Sequence, residues 1–295
     1  MPVRDGYIAG VPCWIDTSQP DPDAAAEFYA GLFGWDLEDV MPAGSPGRYL
    51  PARLPGGDVA AVSSQPQGAP PQATWNTYVW VDSADETAAK VLAAGGQVIS
   101  EPFDVMDAGR MAVCADREGA VFCLWQARRH RGAQVVNEHG SLNFNGLATR
   151  DPDGAAAFYG AVFGWERLDL GPGGAMWRLP GYAEFLERSD PGLRERMAES
   201  GAPEGFEDVV ATMSPLDDQP GAAPHWGVTF AVDDADAAAE TAQRLGGRVV
   251  VAPFDAPWVR MTVLTDPAGA TFVASRYVPE NAVLGSDTSS AGAAA

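Results

Sequence analysis

The sequence predicts an α+β protein made of two tandem domains, each assembled from two βαβββ modules. Three observations lead there. The chain is written twice: PDPDAAAEFYAGLFGW (20–35) is answered by RDPDGAAAFYGAVFGW (150–165), and GGQVISEPFD (95–104) by GGRVVVAPFD (246–255). A period of well over a hundred residues marks a duplicated domain, since solenoid repeats are far shorter. Within each copy the order strand, helix, short strands then recurs. Finally, 295 residues with 46% hydrophobic and 20% charged side chains suit two ordinary globular cores.

The elements of the first copy follow in order. Residues 10–16 (GVPCWID) form a short apolar run, read as a strand. Asp21-Pro22-Asp23 then opens a helix with an acidic cap and a proline in the first turn, and Gly34 ends it. Gly/Pro turns to about residue 64 suggest two or three antiparallel strands. WNTYVWVD (75–82) restarts the plan as a strand, SADETAAKVLAAGG as a helix, and QVIS, GRMAVCAD and GAVFCLWQ as strands. The second copy repeats this with VRMTVLTDPAGATF (259–272) matching GRMAVCADREGAVF (109–122). The expected layout is domain 1 over 1–127, a linker over 128–140, domain 2 over 141–280 and a disordered tail over 281–295. The second copy carries about 21 extra residues before Trp226. Their composition predicts one or two short helices near 183–205, read either as a surface elaboration or as a lid. Gly171 and Gly173-Gly174 flank Pro172 in a turn, which is no phosphate loop.

Composition excludes several classes. A net charge of −21 leaves no basic patch for nucleic acid and repels anionic membranes. It attracts cations at long range, beside its plainer use as a solubility surface. No apolar run approaches the ~18 residues of a membrane span, and the N-terminus has no secretory pattern. Cys13, Cys114 and Cys123 sit in apolar runs without framework spacing, which fits unactivated thiols in a reducing cytoplasm. No Gly-x-Ser-x-Gly motif is present.

The repeated helix motif, the four modules and the strand–Asp-x-x-Gly–strand endings together resemble the vicinal oxygen chelate superfamily. It includes glyoxalase I, extradiol dioxygenases and bleomycin- or fosfomycin-resistance proteins. The resemblance covers residues 8–127 and 141–278, and is most similar to two-domain actinobacterial proteins labelled hydroxylases and to anthracycline-pathway accessory proteins. It implies that each module pair curves an eight-stranded sheet around a cup, with ligand on the concave face. It also implies a divalent cation held by His and Glu. Carried across residue by residue, those positions fall on Trp14, Asn76 and Cys123 in copy one, and on Phe144, Gly227 and Val273 in copy two. None supplies the imidazole–carboxylate set, so no metal and no other cofactor is expected. His130 and His139 lie in the linker and His225 at a strand entrance.

Strand alternation then assigns the inner walls. Trp14 and Asp16, Asn76, Tyr78 and Trp80, Met111 and Val113, Val121, Cys123 and Trp125 would line the first cup. Phe144, Thr229, Met261, Val263 and Ser275, with Trp177 from a neighbouring strand, would line the second. Each aromatic can equally build core, and Trp35 and Trp165 are read that way. Arg110 and Arg260 are read as structural ion-pair partners. Aromatic walls with few polar points suit a planar hydrophobic guest, and Trp with the acidic surface would favour an amine on it. Three roles stay open. The first is a metal-free binder of an aromatic polyketide-type antibiotic or intermediate, for self-resistance or relief of product inhibition. The second is a metal-independent hydroxylase, cyclase or isomerase using Asp16 or Tyr78 as general acid or base. The third is an interaction partner of a tailoring enzyme that docks through the insertion.

Overall fold

The computed structural model describes residues 3–69, 71–169, 175–216 and 222–285. The Gly171–Gly174 turn and residues 286–295 of the expected tail lie outside the described residues. The first half runs β1 (Pro12–Gln19), α1 (Pro22–Phe33), β2 (Asp36–Leu37), β3 (Tyr49–Leu54), β4 (Gly57–Ser64), β5 (Thr74–Trp80), α2 (Ala84–Ala93), β6 (Gln97–Val105), β7 (Gly109–Ala115) and β8 (Val121–Ala127). The second runs β9 (Leu142–Thr149), α3 (Pro152–Phe163), β10 (Glu166–Asp169), β11 (Ala175–Arg178), α4 (Tyr182–Glu187), α5 (Leu193–Glu199), β12 (Val209–Pro215), β13 (His225–Ala231), α6 (Ala235–Arg244), β14 (Arg248–Ala256), β15 (Val259–Thr265) and β16 (Thr271–Tyr277). The predicted α+β plan of two βαβββ pairs is what the chain adopts. The start of the expected tail differs: residues 279–285 form a 3-10 helix, because the Asn281 carboxamide bonds Asp255 and the Val259 carbonyl.

Each half is one eight-stranded mixed sheet, ordered β2-β3-β4-β1-β5-β8-β7-β6 and β10-β11-β12-β9-β13-β16-β15-β14. The modules join at the antiparallel pairs β1/β5 and β9/β13, while β1/β4, β5/β8, β9/β12 and β13/β16 run parallel.

The repeated helices follow from their ends. The Asp21 carboxylate accepts from the Ala24 amide, Pro22 begins the helix, and Gly34 closes it at φ 71, a left-handed turn that glycine adopts without strain. Asp151, Pro152 and Gly164 repeat the arrangement in α3. Phe28, Tyr29, Leu32 and Phe33 form the buried stripe of α1. What that stripe meets explains the duplicated motif. Tyr29 donates to Asp266 at 3.0 Å and Tyr159 donates to Asp116 at 2.9 Å. Each Phe-Tyr helix is therefore keyed to the Asp-x-x-Gly turn of the other copy. Trp35 donates to the Gly140 carbonyl and Trp165 to that of Gly10, both at 2.7 Å, so both indoles are core as expected. Residues of both halves share both apolar cores, with the helix-side faces of β5 and β13 packed together.

Arg110 bonds Asp85 at the start of α2 and Asp104 of β6; Arg260 does the same with Asp236 and Asp255. These forks account for the repeated arginines and for the repeated Ala-Asp (84–85, 235–236) and Pro-Phe-Asp (102–104, 253–255) runs around them. The three cysteines are buried and free. Burial pushes the Cys114 thiol up to about 12, and raises Cys13 and Cys123 further, so none is a ready nucleophile. Among the described residues no helix is long and apolar enough to cross a membrane.

Candidate functional site

The first cup brings together most of the residues that alternation assigned to it. Asp16 and Asn76 face each other across β1/β5, as do Trp14 and Tyr78, while Tyr78 aligns with Cys123 and Trp80 with Trp125. Met111 and Val113 sit opposite Trp125 and Cys123. Asn76 donates to Asp16 Oδ1 and Tyr78 to Oδ2, each at 2.8 Å. Burial outweighs those two donors and lifts the Asp16 carboxyl to about 6.

This cup is closed by its own chain. Trp14, Asp16, Tyr78, Trp80, Cys123 and Trp125 are all buried, whereas Asn76, Met111 and Val113 are half-buried. The linker leaves β8 with Arg128 and His130 amides on the Ala108 carbonyl, crosses the sheet, and reaches β4 with the Gln134 amide on the Asp58 carbonyl. On the way its His130 ring lodges against Trp14 (centroids 4.3 Å) and Trp125 (5.5 Å). Its Nε2 is buried without a partner there, and burial lowers its pKa. The N-terminal segment adds Tyr7, which packs on Trp80 and donates to the Ala133 carbonyl. Sequence reasoning missed His130 and Tyr7 because neither lies on a strand. It also missed Tyr49, whose hydroxyl accepts from the Trp14 indole at 3.0 Å.

The second cup has the same register and different contents. Gly146 pairs with Gly227 where the first cup has Asp16 and Asn76, and Phe144 with Thr229 where it has Trp14 and Tyr78. Ala231 and Ser275 stand where Trp80 and Trp125 stand. Thus five large or polar groups become small ones. Phe144, Thr229, Met261 and Val263 are half-buried, with Ser275 buried. Thr212 of β12 lies beside Gly146 and adds a hydroxyl to the same face. Trp177 is a correction: it points to the helix side, fully buried against Tyr159 and Trp165, because Met176 takes the inner face of β11. At the rim Trp258 stacks parallel on Tyr277, at φ 68, which a bulky residue rarely adopts. The insertion, expected over 183–205, forms α4 and α5, and its Gly201 lies against the Trp258 ring.

The donor set a divalent cation needs does not fit either cup. Trp14 and Asn76 offer an indole and a carboxamide, and burial keeps the Cys123 thiol protonated. Phe144, Gly227 and Val273 offer no side-chain donor. Among the described residues no three His, Cys, Asp or Glu side chains gather as a ligand set. His139 accepts from the Asp233 amide, 94 residues away, and the His225 ring contacts the nearby Ala223 carbonyl, so both rings are engaged with backbone.

Residues 14–125 match the model of the glyoxalase-like domain, and residues 141–273 that of the glyoxalase/bleomycin resistance protein/dioxygenase superfamily. The chain is 41% identical to CFP32 of Mycobacterium tuberculosis (strain CDC 1551 / Oshkosh), a protein that carries glyoxylase in its name, over 95% of this chain and 100% of that one. It is 34% identical to the anthracycline biosynthesis protein DauV of Streptomyces sp. (strain C5), over 90% and 93%. Among solved structures, the Mn(II)-bound glyoxalase from Novosphingobium aromaticivorans matches with a TM-score of 0.58 at 16% identity, covering 91% of this chain and 82% of that one. The 2,3-dioxygenase LapB from Pseudomonas sp. KL28 matches with 0.58 at 14%, covering 92% and 93%. At such identities these two bear on fold alone.

Proposed function

Because the chain belongs to the glyoxalase/bleomycin resistance protein/dioxygenase superfamily while its cups lack a metal donor set, we propose that it is a binding protein. Its guest is a planar aromatic small molecule of the polyketide or anthracycline type, held without chemical change for sequestration or for relief of product inhibition. The observation that carries this reading is the contrast between the cups. The first is filled by its own aromatics and the linker's His130; the second exchanges Asp, Asn, Tyr and two Trp for Gly, Gly, Thr, Ala and Ser, leaving Phe144 and Thr229 half-buried where Trp14 and Tyr78 are buried. A concave apolar wall with a few hydroxyls is the usual make-up of a small-molecule site. The relation to an anthracycline biosynthesis protein supports the ligand class. The net charge of −21 favours a guest bearing an amine.

Titration with daunorubicin, followed by tryptophan quenching and by native mass spectrometry of the complex, tests this. Micromolar binding with the guest recovered intact is the expected result; no quenching at that concentration sinks it. A second reading rests on Asp16, a buried carboxyl raised to about 6 and bonded to a phenol, which could move a proton on an aromatic substrate. Turnover of the guest in the same incubation, abolished by Asp16→Asn, would favour that enzyme instead.

A further inference from the structure

A glycine inside a β-strand weakens it, and a fold keeps one there for a left-handed backbone, for crowding by its own atoms, or for the close approach of something else. Gly227 meets neither internal condition. Its φ is not positive, unlike that of most glycines of this chain. A Cβ added to it would find the Gly146 carbonyl oxygen as nearest atom, at an ordinary 3.9 Å. It sits in the middle of β13, paired with β9 on one side and next to β16 on the other, between buried Trp226 and Val228. Directly opposite is a second glycine, Gly146, also without positive φ; a Cβ there would come within 2.6 Å of the Thr212 hydroxyl oxygen, so Thr212 itself keeps that position bare and Gly227 is the one left open. The centre of the second cup is therefore a patch of bare peptide, flanked by Phe144, Thr212 and Thr229.

We propose that the Gly146–Gly227 pair is the specificity-determining floor of the guest site, resting on the reading above and deepening it. Fused flat rings lie directly on the peptide planes, which no side chain holds off, while the Thr229 hydroxyl meets an oxygen atom along the ring edge and the Thr212 hydroxyl, whose proton is directed at the Asn145 carbonyl, accepts from a ring-edge hydroxyl. A puckered or branched molecule gains nothing from such a floor.

Gly227→Val tests the assignment, because valine suits a strand and fills only the space a guest would take. The melting temperature should stay level or rise, while affinity for daunorubicin and for nile red, a neutral flat dye, should fall at least tenfold. Gly227→Ala should fall in between. A Gly227→Val chain that binds both within twofold of wild type overturns the floor and leaves the binding function standing. So does retention in that variant beside loss in Asn76→Leu, which would put the guest in the first cup. A Gly227→Val chain that fails to fold contradicts the open space and also overturns it. Wild-type protein that binds neither compound removes both the floor and the function.

Discussion

At the scale of single residues, Asp16 and His130 are buried titratable groups whose linkages have opposite sign. Folding raises the Asp16 pKa from 3.8 to about 6, so the native state holds that proton more tightly than the unfolded chain does. Stability from this group is therefore full below about pH 4 and falls as pH rises toward 6, by about 3 kcal/mol at most. Asp16→Asn should remove that slope, so the stability difference between variant and wild type, followed by urea unfolding, should grow in the variant's favour from pH 4 to 6.5. A difference flat with pH would mean that the carboxyl is not buried as described. His130 acts in reverse: its lowered pKa means stability is lost as pH falls below the ordinary imidazole value. Much of this was out of reach of the sequence. Alternation along β1 and β5 put Asp16, Asn76 and Tyr78 on one face, but no strand pattern could bring in a histidine from a linker.

At the scale of elements, the two irregular segments are held very differently. Over the first cup, the linker runs from the β7–β8 side to β4, fixed by backbone bonds at Ala108, Cys13 and Asp58 and by the wedged His130 ring. In the second half, the insertion starts after β11 and touches the β14–β15 turn at Trp258, and α5 buries no residue of its own. The linker strap should thus be the stiffer. His130→Ala leaves a void between Trp14 and Trp125 and should cost about 2 kcal/mol in chemical denaturation. Its effect on guest affinity should be under twofold. The helix ends were legible in advance, since Asp-Pro at the start and Gly at the end carry their own conformational reasons. What each irregular segment lies against was not, because such segments have no periodicity to read.

At the scale of the whole molecule, the two copies form one cooperative unit. Tyr29 with Gln19 on Asp266, and Tyr159 on Asp116, are buried bonds between halves, and leaving such a group unpaired costs about 1–3 kcal/mol. Phe28, Tyr29 and Trp35 share a core with Phe230 and Phe272, and Phe122 shares one with Phe158 and Trp165. Differential scanning calorimetry should show a single transition for the full chain, and residues 1–136 produced alone should self-associate. Two separated transitions would contradict the shared cores.

The sequence by itself determined the duplication, the βαβββ plan, the capped helices and which residues of one strand share a face, because these rest on local sterics and strand parity. Only the tertiary structure decided that the Phe-Tyr helices key into the opposite copy, that Trp177 belongs to the core, and that one cup is filled by its own aromatics and the linker's His130 while the other has a bare glycine floor. Those outcomes depend on which distant segments come to lie against a given face, and packing between segments remote in the chain leaves no periodic trace in the order of its residues.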